Sequence, residues 1–468
     1  MGKQFKKKVC MVAMGMLLLG LTGCGEEKTT TTESSSTDAT STDALVLEEV
    51  SEEEGIVENV VYESTGSKGG VNINAEVVIP EKNDECLLYS LEKDNFDDDD
   101  VKTMVESIFD EESYFLYMPY TSAQINFLRD KLTALVPYAQ NEDEEQEFST
   151  ALYELDFHEE NLKSGAPDIE GEIKFYDMSE YTDYEDLNEY QCNVFGTIDG
   201  NYAMVNFSKN DYNCQMKLVL FGFKTKTMQN TGSDSYDVKA TGNACGYTIS
   251  EAEDIAAEYI SSLGYENMRA VKSFDVLLSS VVAESTYVDE NGEEMPNYVQ
   301  VENPNGYNVY FARGYEGYTV TYDSLQFKSM YGAIYFDENG ENGQNPSAVT
   351  GSEFIRVYVS DYGVTEVEIC NPMMEKELIT DEVVLLEFNA INQIAIDYFE
   401  ALSQEYMDVW YVDKIELGYS IIEDAGEFAI IPTWSYIAKV DPTSRYAYEN
   451  CYLQLNAMDG SVVYSILE

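Results

Sequence analysis

The sequence predicts an α+β protein in which antiparallel meander sheets are each packed by a helix, with the helix-meander unit repeated in tandem in the C-terminal half. Three observations carry this. Many short runs alternate apolar and polar residues, the period of a half-buried strand. Fewer runs place apolar residues at helical spacing. Tyrosine is unusually common, at 37 against two tryptophans and one histidine, and it favours strands and half-buried surfaces. The other use of so many tyrosines is a surface that stacks on sugars or peptides; the sheet reading is preferred.

The chain opens with lysines at 3, 6, 7 and 8 and no acid, followed by an uncharged stretch from Val9 to Gly23. That stretch is shorter than the roughly 20 apolar residues a bilayer span needs. A short apolar run behind lysines reads as an export signal. It ends in Leu21-Thr22-Gly23-Cys24, which resembles the lipobox of bacterial lipoproteins. The resemblance implies cleavage between Gly23 and Cys24 and a diacylglyceryl anchor on the Cys24 thiol. Two acyl chains give stable anchoring where one does not. Residues 24–55, rich in Ser, Thr and acids, are expected to be a tether. The expected organisation is a signal peptide at 1–23, this tether, an α+β unit at 56–228 and a second at 247–468 with two helix-meander repeats.

In the first unit, Val71–Ile79 alternates almost strictly and predicts a strand, with Cys86–Leu91 as its partner. Asp97–Asp100 precede Val101, Met104, Val105 and Ile108 at helical spacing, and acids at a helix start suit its dipole. These aspartates are better read as a helix start than as a calcium site. A second helix is expected over Ser122–Val136, ended by Pro137. Residues 138–170 are acidic and poorly patterned and predict a loop. His158 lies there beside Glu159 and Glu160, more in keeping with a surface residue than with a base or ligand. Strands follow at Glu172–Tyr176, Gln191–Ile198, Ala203–Phe207 and Cys214–Phe223, with Asp199-Gly200 as a hairpin turn. The polar stretch Thr227–Gly246 is the expected boundary.

In the second unit, Ser250-Glu251-Ala252-Glu253 has the spacing of a capping box. Ala252, Ile255, Ala256, Tyr259, Ile260 and Leu263 form one face, and Gly264 stops the helix. Strands are expected at Val271–Glu284, Tyr307–Phe311 and Tyr318–Tyr322, then a hairpin, Phe354–Val359 and Val364–Cys370, turned at Asp361-Tyr362-Gly363. A helix over Glu387–Leu402, with stripe Ile391, Ile394, Ala395, Tyr398 and Leu402, restarts the pattern. Strands at Val412–Ile422, Glu427–Lys439, Cys451–Asn456 and Val462–Ile466 complete it. Pro432 cannot donate to a ladder and predicts an edge or bulge, with Trp434 packing on the helix.

Composition bounds function. Removing residues 1–23, with four lysines and no acid, takes the formal charge from −61 to −65. That repels nucleic acid and anionic lipid. It suits a soluble protein held outside a cell, with calcium or cationic partners as the minor alternative. Cys86, Cys192, Cys214, Cys245, Cys370 and Cys451 remain after the signal and the anchor; they can pair outside a cell, or stay as buried thiols in an anaerobic host. They show no zinc spacing. Two turns, Asp289-Glu290-Asn291-Gly292 and Asp337-Glu338-Asn339-Gly340, lack the leading Asp of an EF-hand, since Tyr287 and Tyr335 stand there. Neither a nucleophile elbow, nor a P-loop, nor HExxH occurs. Neither cofactor nor metal is expected, and Cys24 is the one site residue assigned.

Leu417-Gly418-Tyr419, Pro432-Thr433-Trp434 and Leu455-Asn456-Ala457-Met458-Asp459-Gly460 resemble the C-terminal part of YycH/YycI-type extracytoplasmic regulators and, more loosely, PepSY modules. Phe354–Val359 with Asn371-Pro372 is similar to the linker hairpin of that architecture. The whole chain also looks like uncharacterised clostridial lipoproteins. The resemblance implies a non-enzymatic regulator of an envelope partner, anchored by lipid where that family uses a transmembrane helix. A peptide- or glycan-binding lipoprotein is the alternative, and an unrecognised hydrolase the remotest.

Overall fold

The computed structural model describes residues 59–465 apart from 66–69, 81–85, 170, 183–189, 211–212, 222–226, 230–244, 289–293, 316, 322–334, 337–341, 344–352, 407–408, 425 and 439–449. Cys24, the tether, both Asp-Glu-Asn-Gly turns and most of the expected boundary at 227–246 lie outside the described residues.

Strands β1 (Asn59–Thr65) and β2 (Gly70–Val78) pair antiparallel, with Val71, Ile73 and Ala75 of β2 buried. Next come β3 (Leu88–Lys93) and helix α1 (Asp98–Ile108). Asp97 caps α1: its carboxylate accepts from the Asp100 amide, and the Asp100 carboxylate accepts from the Asp97 amide. This reciprocal box explains why aspartates cluster here. After β4 (Phe115–Leu116) come α2 (Ser122–Leu135) and α3 (Glu142–Glu160).

Helix α3 corrects the expected loop at 138–170. Asn141 caps it, and Phe148, Ala151 and Leu155 make a narrow buried stripe. Nine acids in its 19 residues diluted the apolar period. The chain continues through β5 (Tyr176–Asp177), β6 (Tyr190–Ile198), β7 (Asn201–Lys209), β8 (Cys214–Leu220) and β9 (Thr227–Gln229). Asp199 and Gly200 both have positive φ, 50° and 79°, as the turn joining β6 to β7 demands.

Helix α4 (Ile249–Ser262) is capped by Thr248 with Glu251, so the box starts two residues before the expected Ser250. Then come β10 (Met268–Val288), β11 (Glu294–Tyr315), β12 (Tyr318–Thr319), β13 (Tyr335–Phe336), β14 (Asn342–Gly343), β15 (Phe354–Ser360), β16 (Gly363–Cys370) and β17 (Met373–Thr380). Helix α5 (Phe388–Tyr406) precedes β18 (Val409–Asp424), β19 (Glu427–Ala438), β20 (Asn450–Asn456) and β21 (Val462–Ser465). The buried stripe of α5 is Ile391, Ala395, Phe399 and Leu402; Ile394, expected within it, is exposed at its edge.

Two large sheets result, largely antiparallel. The first runs β1-β2-β18-β19-β20-β21, with β3 paired to β17 and β19; the second runs β4-β6-β7-β8-β16-β15-β11-β10-β9. Both draw strands from both sides of the expected boundary. Strand β2 pairs with β18 in parallel, and β8 pairs with β16. The chain is therefore not two sequential units at 56–228 and 247–468 but an interleaved pair of sheets. Strand β3 is likewise not the partner of β2, whose free edge is taken by β18. The helix-meander order does recur, but α4 packs on the second sheet and α5 on the first.

Pro432 sits where β19 changes edge partner. Residues 428–430 pair with β3 and residues 433–438 with β20, so the missing N–H falls in the gap. Trp434 then packs against Phe388 at the start of α5, ring centroids 4.7 Å apart.

Candidate functional site

Alternation in the second sheet sends one set of side chains toward α1 and α4. Val309, Phe311, Ile355, Val357, Val367 and Ile369 form that apolar face. The intervening positions form a polar row that crosses the sheet in register: Asn193, Asn206, Lys217, Glu368, Arg356 and Tyr310 are successive cross-strand neighbours on β6, β7, β8, β16, β15 and β11. Thr365 is the extra residue of a bulge in β16. The bulge lets Val364 face the same apolar side as Val367 and Ile369.

Arg356 is the hub of the row. Its Nε donates to Glu368 Oε2 at 2.9 Å, and Nη2 donates to Glu366. Nη1 lies 3.4 Å from Asn308 Oδ1, and Gln215 Nε2 donates to Glu368 Oε1 at 2.6 Å. Lys217 Nζ stands 3.9 Å from Glu366 Oε1. Arg356, Glu366 and Glu368 are all buried. Burial pulls the Arg356 pKa down, yet the two carboxylates outweigh it and hold the pKa above its ordinary value. Two cations face two carboxylates, so the network closes on itself. A buried pair costs several kcal/mol to break because the surviving ion is stranded. Such a network fixes register: a one-residue slip would turn Glu366 and Glu368 into the apolar core.

A second network clasps the sheets together where β16 leaves the second sheet and β17 enters the first. Asn371 turns this corner with φ 47°. Its amide donates to the Cys214 carbonyl at 2.7 Å, and its Oδ1 accepts from the Cys214 amide at 3.0 Å. Arg313 of β11 forks onto Glu353, Nε to Oε2 and Nη2 to Oε1, both 2.7 Å. Glu353 Oε1 also accepts from the Met373 amide at 2.7 Å, and Arg313 Nη2 donates to the Met373 carbonyl. Two parallel charge-assisted bonds fix direction as well as energy. Nearby, Val320 forms a bridge to Tyr419 as the chain after β12 crosses the first sheet. It crosses at Gly418, where an added Cβ would lie 2.5 Å from Thr321 Cγ2 and 2.7 Å from the Thr319 carbonyl oxygen. Glycine there has a steric reason independent of any family pattern.

The residues singled out in the sequence are not brought together. His158 lies on α3, not in a loop. It is half-buried, with its ring edge-on to Tyr120 at 5.8 Å, and burial lowers its pKa. The six cysteines are free thiols. Burial pushes Cys86 up to about 11 and Cys192 and Cys214 up to about 12, which leaves them protonated and poorly nucleophilic. Tyr310, Tyr318, Tyr358, Tyr419 and Tyr436 are fully buried. The tyrosine excess thus goes in good part to core. Among the described residues no group of three or more His, Cys, Asp or Glu is placed to hold a metal ion.

The networks around Arg356 and Arg313 were missed by sequence reasoning. One signal was available: Arg356, Glu366 and Glu368 stand at alternate positions in strands that are otherwise apolar. Only the register reveals that they meet.

The outer surface shows a different feature. Tyr153 and Phe157 of α3 are 75% and 54% exposed, on the side opposite its buried stripe. The helix carries no lysine or arginine. Across its flank, Arg129 of α2 binds Asp156 at 2.9 Å and Glu159 at 2.8 Å.

No family model matches the chain, and no curated protein matches it. Among solved structures, the chain is similar to an uncharacterized protein from Eubacterium rectale ATCC 33656, at 12% identity and TM-score 0.37, covering 87% of this chain and 94% of that one.

Proposed function

We propose that this is a lipid-anchored protein of the outer face of the cytoplasmic membrane, acting by binding an envelope partner rather than by catalysis. The observation that carries this reading is Leu21-Thr22-Gly23-Cys24 behind four lysines and an uncharged run. The buried ions fit it: Arg356 and Arg313 are engaged by Glu366, Glu368 and Glu353. The resemblance to YycH/YycI-type regulators supports a regulatory partner of the envelope. Full burial of Tyr310, Tyr318, Tyr358, Tyr419 and Tyr436 weighs against a stacking platform for glycans.

The test is fractionation of cells expressing the full chain and Cys24→Ser. The wild type is expected in the membrane fraction, labelled by radioactive palmitate. Cys24→Ser is expected to be unlabelled and released. Equal membrane retention of the variant would overturn the anchor. In-cell crosslinking should then trap a specific membrane protein; a clean monomer would count against the partner.

A further inference from the structure

We propose that the outward face of α3 docks a basic, amphipathic segment of a partner protein, an inference that rests on reading the chain as an interaction protein. Three observations meet on this face. Tyr153 and Phe157 are separated by one helical turn, so they are neighbours on the helix surface. Both point away from Phe148, Ala151 and Leu155, which are buried against the rest of the fold. Large exposed aromatics are what interface centres are made of.

The second observation is charge. Exposed Glu154, Asp156 and Glu160 flank the two rings. Arg129, the cation beside them, is already shared between Asp156 and Glu159. The face therefore offers apolar rings within a field of negative charge. Lysine or arginine side chains would gain both ion pairs and contact with the ring faces.

The third is what the same field excludes. A second copy would bring the same acids against themselves, and the chain as a whole carries a formal charge of −61. Residues 25–55 of the tether are acidic, with a single lysine, and cannot complement the face. An anionic bilayer surface is repelled for the same reason. A positively charged segment with an apolar side fits both the rings and the field. The two flanks of the α2–α3 pair differ: Phe127 of α2 is also exposed, but Lys131 lies 5.5 Å from its ring centroid. That flank has its own cation, so it serves as an internal control.

The experiment uses the mature chain carrying Cys24→Ser, so that lipid plays no part. Calorimetry at near-physiological salt compares a synthetic lysine–leucine amphipathic peptide with a lysine–serine peptide of equal charge. The lysine–leucine peptide is expected to bind at least about tenfold more tightly. Tyr153→Ser/Phe157→Ser should lose about tenfold in affinity for it with an unchanged Tm, since both residues are exposed. Phe127→Ser should bind like the wild type. The proposal is overturned if the peptide does not bind, if the double variant binds as well as the wild type, or if Phe127→Ser loses as much. It is equally overturned if vesicles of anionic lipid bind this face, or if it forms a dimer that the double variant abolishes. None of these results alters the outcome of the Cys24→Ser fractionation, so failure of docking and failure of anchoring are separable.

Discussion

The first sheet, under α5, pairs buried hydroxyls and amides through neutral hydrogen bonds, whereas the second is stitched by buried ions. In the first, the Ser420 and Thr433 hydroxyls lie 2.8 Å apart, and Gln454 Nε2 donates to Ser435 Oγ at 3.0 Å. In the second, Arg356 joins Glu366 and Glu368, and Arg313 joins Glu353. All of these groups are buried. A neutral pair contributes about 1 kcal/mol and can be lost cheaply. An ion pair adds little net stability but strands a charge when one partner goes. The first sheet should therefore tolerate polar substitution, while the second enforces its register.

That contrast is open to direct attack. Arg356→Leu should cost about 3–5 kcal/mol in urea unfolding, because Glu366 and Glu368 remain buried with only the more distant Lys217 beside them. Ser420→Ala should cost only about 0.5–1.5 kcal/mol. Equal losses would erase the distinction between the sheets. Gly418→Ala, at the crossing in the first sheet, should cost about 1–3 kcal/mol through overpacking against the Thr319 carbonyl. A neutral result would mean that residues 319–321 yield freely.

A smaller effect belongs to His158, beside Tyr120 on the helical layer of the second sheet. Burial lowers its folded pKa below the usual value near 6.5. The unfolded chain then binds the proton first as pH falls. Stability is complete above about 6.5 and is lost as pH drops through the folded pKa. Between pH 7.5 and 5.5, His158→Asn should flatten that loss; an identical slope in both proteins would put the histidine in water.

The legible part of this fold was its local part. Alternation placed the strands of the Phe354–Cys370 hairpin and of the β18-to-β21 meander, and Asp199-Gly200 marked its turn. Helix α3 was hidden because its three-residue stripe is embedded in acids. Partners far apart in the chain were hidden for another reason. Nothing near Val71 announces that Trp410 will lie beside it, since pairing between distant strands leaves no periodic trace. The ion networks share that fate: the charges were visible, their meeting was not. The expectation at Cys24, by contrast, rests wholly on the order of short-range signals and lies outside the described residues.

The interleaving of the sheets is best tested by unfolding the isolated segment 247–468 beside the mature chain. That segment would leave β18 without β2 and β16 without β8, exposing two long edges and the apolar side of the second sheet. It should show no cooperative thermal transition, and co-expression with residues 56–246 should restore one. A segment that unfolds cooperatively by itself, with the Tm of the whole chain, would contradict the shared sheets and restore two sequential units.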